Sequence, residues 1–200
     1  MSRTPLVWPL FSVLLLSCAG GGGPVTADAR WNLTCPSGGQ VGCGAPAPKT
    51  CLNDGIGVNE RVIVGEHGQM TCTGEPIIAT CDAIDRSSGT SFRLEANVGY
   101  EFAFELEAVI GTEDGSVVPE TTCNVTITED QLPYDIGSCG TEAPSPEQPC
   151  QLSNITVDGS DITFDLRCES LLSSTTGLGF DVGAAGGGAT TIHFANCTAF

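Results

Sequence analysis

The chain is 200 residues long, 40% hydrophobic and only 16% charged, a composition that supports a packed core and argues against wholesale disorder. Its formal net charge is −17, with a single lysine, Lys49, against 24 acidic residues. That field excludes nucleic acid, whose phosphates need cations to displace their counterions, and it repels bare anionic lipid.

The first predicted element is a targeting segment, residues 1–17. Arg3 precedes the apolar stretch Leu6-Val7-Trp8-Pro9-Leu10-Phe11-Ser12-Val13-Leu14-Leu15-Leu16. This is too short to cross ~30 Å of hydrocarbon, which takes about 20 apolar residues, but it has the length of a secretory h-region. It ends in Leu15-Leu16-Ser17-Cys18. These four residues resemble the lipobox of bacterial lipoproteins: an apolar residue, a tolerant position (Leu16 instead of the commoner Ala or Ser), a small residue, then cysteine. The resemblance implies lipid transfer to the Cys18 sulfur, cleavage before it, and acylation of the new amino group. Several acyl chains anchor stably where one does not. Ala19 in place of the aspartate linked to inner-membrane retention leans, by the same resemblance, towards the outer membrane. The run Ala19-Gly20-Gly21-Gly22-Gly23-Pro24 suits a flexible tether, here taken as residues 18–30. An ordinary signal peptide cut near Ala27 or Ala29 is the alternative.

Beyond the tether the pattern is β. Strand candidates are residues 61–64, 69–73, 77–82 and 92–96, then 100–108, where Tyr100, Phe102, Phe104 and Leu106 alternate with polar partners. Asp114-Gly115 marks a turn, and Cys123, Val125 and Ile127 share one face of the next strand. Ile155 and Val157 lead to Asp158-Gly159, after which Ile162, Phe164, Leu166 and Cys168 resume the alternation, the signature of a tight hairpin. Residues 190–196 form a last strand with Ile192 and Phe194 inward. No segment sustains a helical apolar period. Eight or nine strands with such turns predict an all-β, disulfide-rich β-sandwich.

There are eleven cysteines. With Cys18 assigned to lipid, an even set remains: Cys35, Cys43, Cys51, Cys72, Cys81, Cys123, Cys139, Cys150, Cys168 and Cys197. In an exported compartment these pair as disulfides, with connectivity unreadable from spacing. Zinc would want close Cys-x₂₋₄-Cys pairs, and there are none. The ten fall into two groups of five, and Cys43-Gly44-Ala45-Pro46-Ala47-Pro48-Lys49-Thr50-Cys51 resembles the run from Cys139 to Cys150 with its Ala143-Pro144-Ser145-Pro146. Two related modules, 31–88 and 89–200, explain this; chance similarity of proline-rich cysteine loops is the alternative. Since five is odd, strict modules need one bridge between them.

No catalytic motif, metal site or cofactor signature is present. His67 and His193 read as surface residues. The acidic turns 113–115 and 158–161 lack a calcium loop's spaced ligands and read as turns. The run 183–188 reads as a flexible loop between strands, not a ligand cradle. Four Asn-x-Thr sequons, at Asn32, Asn124, Asn154 and Asn196, keep a eukaryotic secreted glycoprotein with an adhesive or receptor-type module in play. A secreted hydrolase using paired carboxylates is the other alternative, without residues to name. The leading expectation is a cell-envelope lipoprotein, not an enzyme, held to the membrane by lipid and serving a structural role or binding a protein or glycan.

Overall fold

The computed structural model describes residues 23–36, 60–71, 74–86, 89–99, 102–113, 116–129, 132–134, 137–173 and 175–199. The fold is the expected all-β, disulfide-rich sandwich. One sheet is built from β1 (Thr26–Thr34), β2 (Glu60–Glu66), β8 (Cys139–Gly140), β9 (Cys150–Asp158), β10 (Asp161–Leu172), β11 (Gly179–Gly183) and β12 (Thr190–Ala195). The other holds β3 (Ile77–Arg86), β4 (Gly89–Val98), β5 (Phe102–Glu113), β6 (Ser116–Glu129), β7 (Leu132–Tyr134) and β13 (Thr198–Ala199), in the order β13-β3-β4-β5-β6-β7.

Strand alternation sets the core. Ala27, Ala29, Trp31 and Leu33 of β1 face Leu94, Phe102, Phe104 and Val125 of the second sheet within one apolar cluster. Aromatic rings interlock across it: Trp31 meets Phe102 edge-on at 5.9 Å, and Phe104 meets Phe164 at 6.2 Å between centroids. The Asp158-Gly159 hairpin forms as expected, with Gly159 at φ 60° and Asp158 paired to Asp161. Tyr100 and the Asp114-Gly115 turn lie outside the described residues.

Three differences from the sequence reading have physical causes. First, the stretch taken as tether ends earlier than residue 30. β1 starts at Thr26, because its inward alanines can lie against the core without bulk, and it pairs with β2 through seven residues. Second, the boundary expected at residue 88 falls between β3 and β4, two strands that pair directly with each other in register from Ile77↔Val98 to Arg86↔Gly89. Strands from 26–66 complete the sheet of β9 to β12, so the described parts of both proposed modules share one core. Third, short strands such as β7, β8 and β13 raise the number of strands beyond eight or nine.

Three disulfides are described: Cys81–Cys197, Cys123–Cys139 and Cys150–Cys168. Cys35 is also disulfide-bonded. Two of the bonds lie within the second group of five cysteines, and Cys81–Cys197 joins the two groups. Cys18, Cys43, Cys51 and Cys72 lie outside the described residues.

Candidate functional site

The middle of the first sheet holds an irregularity that builds a cavity. β1 pairs with β12 through residues 26–29 and with β11 through residues 32–34. β10 does the same on the other side, pairing with β12 through 162–166 and with β11 from Cys168 to Leu172. β11 and β12 are therefore one strand in two pieces, laid end to end. Residues 184–189 leave the sheet between them, closed by Ala184 N–H donating to the Gly188 carbonyl at 2.7 Å and Gly187 N–H to the Ala184 carbonyl at 3.0 Å. Beyond the gap, the Thr190 hydroxyl donates to the Arg30 carbonyl.

Glycine is required where this excursion begins. A Cβ on Gly183 would collide with the Gly188 carbonyl oxygen, and Gly186 and Gly187 sit at φ 92° and 91°. The run 183–188, expected as a plain connecting loop, thus forms one wall of a cavity of about 300 Å³ on the sheet's outer face.

The other walls come from the outward residues of β1 and β10. Asn32, Thr34, Arg167, Glu169, Ser170 and Asp181 supply the polar groups. A bulge in β10 between Cys168 and Leu171 turns Ser170 to φ 56°, and its N–H donates to Asp181 Oδ1 at 2.8 Å. The Arg167 guanidinium lies 2.5 Å from Glu169 Oε1, with both side chains more than 40% exposed. Asn32 differs: it is only 7% exposed, and among the described residues its side-chain amide makes no hydrogen bond to a protein group. Its amide atoms are not sealed in: the buried side-chain polar atoms without a partner among the described residues are Trp31 Nε1 and Asn97 Oδ1, so the Asn32 amide stays open to the recess.

The second sheet's outer face carries a shallower depression of about 90 Å³ lined by Arg93, Glu95, Glu105, Glu107, Asn124 and Thr126. Glu95 and Glu105 are directly opposite across the strands. Glu105 is held above the ordinary carboxylate range, chiefly by desolvation and then by Glu95, against an opposing effect of Arg93. A raised carboxyl pKa means that the folded state binds the proton more tightly. Its favourable contribution is full below the unfolded value of about 4.3 and lost as pH rises through the folded value. Glu105→Gln is therefore expected to raise the melting temperature near neutral pH. The gain should vanish below about pH 4.3, which thermal melts across that range will check.

His67 lies in an exposed turn, with Nδ1 3.1 Å from the Ala79 carbonyl oxygen and 3.3 Å from the Ala79 nitrogen. His193 faces outward on β12, 4.0 Å from Asp161. Among the described residues no three His, Cys, Asp or Glu side chains are placed to hold a metal ion. Of the four sequons, Asn32 is buried in the cavity wall, Asn154 donates to Asp165 Oδ2 at 2.7 Å, and Asn196 donates to the Pro24 carbonyl at 3.1 Å. Asn124 is exposed.

Sequence reasoning named none of the cavity's polar groups as a site except Asn32, and that only as a sequon. Together the fold and the cavity define a disulfide-stapled β-sandwich with a polar recess on one outer face. Comparison with family models, curated proteins and solved structures gives no match for this chain.

Proposed function

We propose that the protein is an exported lipoprotein of the cell envelope, anchored through acyl chains on Cys18 and presenting the sandwich as a non-catalytic, ligand-binding module. The observation that carries this reading is the partition of sulfur. All seven described cysteines, from Cys35 to Cys197, are in disulfides, which favour an oxidising compartment. The total of eleven leaves one over, and Cys18 follows Leu15-Leu16-Ser17 directly behind an apolar leader.

The binding half of the proposal rests on the recess. Its two carboxylates, Glu169 and Asp181, are already engaged by Arg167 and the Ser170 N–H, and Glu169 is 47% exposed. A general acid needs a carboxyl shielded from water, so these groups suit recognition better than proton transfer. The tether enters β1 at Thr26, whereas the recess lies at Asn32 and Thr34. At ~3.3 Å per residue that is about 20–25 Å along the strand. An anchor at Cys18 would therefore join the body at the end of β1 far from the recess.

Growth of a bacterial host with radioactive palmitate is expected to label the protein, and Cys18→Ala to abolish the label. Absence of label on the wild-type chain sinks the anchor.

A further inference from the structure

We infer that the recess between β1, the β10 bulge and the 184–189 excursion is a binding site for a neutral saccharide. This deepens the ligand-binding half of the function proposed above and rests on it. The Asn32 amide sets the character of the site: the residue is nine-tenths buried, yet its amide makes no hydrogen bond to a protein group among the described residues and stays open to the recess, where it suits a ligand that both donates and accepts hydrogen bonds.

The neighbouring groups narrow the class. Arg167 donates, Glu169 and Asp181 accept, and Thr34 does both, all lining the same recess. An anion would meet two carboxylates on a chain of net charge −17, with the one guanidinium already paired to Glu169. A cation would have to compete with that guanidinium for Glu169, and no third acidic or imidazole ligand is at hand among the described residues. An apolar ligand would strand every polar group in the wall, each at a desolvation cost. What remains is an uncharged molecule rich in hydroxyls. Every hydroxyl is at once donor and acceptor, so a sugar ring satisfies amide, carboxylate and guanidinium edges set side by side. The volume of about 300 Å³ lies at the small end for small-molecule sites, which favours a single sugar residue. The excursion suits the role, because at Gly187 nothing stands within 4 Å of where a Cβ would project, leaving its backbone open to a ligand.

The test uses the mature lipidated chain in detergent, labelled with ¹⁵N-glycine and titrated separately with glucose, galactose, mannose and N-acetylglucosamine. At least one sugar should shift the Gly183 and Gly187 amides saturably while Gly159, at the β9–β10 turn, stays still. Asn32→Leu fills the recess without altering the strand, and should weaken that sugar at least tenfold with the circular dichroism spectrum unchanged. Thr34→Val, which keeps the side chain's shape, should weaken it by a smaller factor. The assignment is overturned by no response to any of the four sugars. It is also overturned if phosphate or calcium shifts the same amides at lower concentration, or if folded Asn32→Leu binds like wild type. Palmitate labelling does not involve the recess, so a failed titration with intact label rejects the saccharide site alone.

Discussion

Replacing Cys81 and Cys197 together by alanine is expected to destabilise the protein by about 4–5 kcal/mol, the largest loss from any one of the described disulfides. The bond joins residues 116 apart, with Cα atoms 4.8 Å from each other. A cross-link chiefly restricts the unfolded chain, and the restriction grows with the logarithm of the loop it closes. The Cys150–Cys168 loop spans only 18 residues, and the same relation gives it about 3 kcal/mol. The long bond also sits where the chain changes sheets. β12 belongs to the first sheet and β13 to the second, where it pairs parallel with β3 through Thr198↔Asp82. The Thr198 hydroxyl donates to the Cys81 carbonyl at 3.1 Å, so the bridge and the last strand support one another. Urea unfolding of both double-alanine variants beside wild type checks the ranking. An equal or greater loss from removing Cys150–Cys168 would show that loop closure is not the governing effect.

How far the fold was legible depends on how loudly each strand announces its inward face. β5 and β10 do so with Phe104, Leu106, Phe164 and Leu166, and the structure buries all four. β1 was missed because two of its inward positions are alanines, Ala27 and Ala29, directly behind a glycine-rich run that reads as tether. In β2 the parity was ambiguous: Arg61-Val62-Ile63-Val64 offers two apolar residues to one face and one to the other. Counting hydrophobes favours burying Val62 and Val64. The structure instead buries Arg61 and Ile63 and leaves Val64 41% exposed, because a partner for the guanidinium waits on the opposite sheet.

The recess was hidden for a different reason. Its groups come from residues 32–34, 167–170 and 181–187, and nothing in local periodicity says that β11 and β12 are one interrupted strand. Only the shared pairing of both with β1 and β10 brings Asn32 beside Asp181 and Arg167. The glycine run was visible, but a run of glycines does not disclose which sheet face it borders.

The partner of Arg61 gives the second large expectation. Arg61→Leu should cost about 3–5 kcal/mol, and the double variant Arg61→Leu/Glu129→Leu should recover most of that loss. Arg61 lies on β2 and Glu129 at the end of β6, so the pair ties the two sheets together. Its geometry is a two-pronged fork, Nε to Oε1 at 2.6 Å and Nη2 to Oε2 at 2.8 Å, with side-chain exposures of 0% and 4%. Trp31 pairs across β1 with Arg61, and Phe102 pairs across β5 with Glu129; the two rings touch, placing an apolar contact beside the charges. Removing one charge leaves the other buried without its principal counter-charge, and desolvation makes that the expensive outcome. Removing both leaves two leucines of moderate bulk in an apolar setting, which cores usually tolerate. The intact pair therefore contributes less to net stability than either single variant suggests, and its stronger effect is on register. A sheet slipped by one residue would bury Val62 and turn Arg61 away from Glu129. A double-mutant cycle by urea unfolding reads the coupling directly. Single variants that each cost under about 1 kcal/mol, or a double variant as unstable as the sum of the singles, would show that the fork is not the contact fixing β2 against β6.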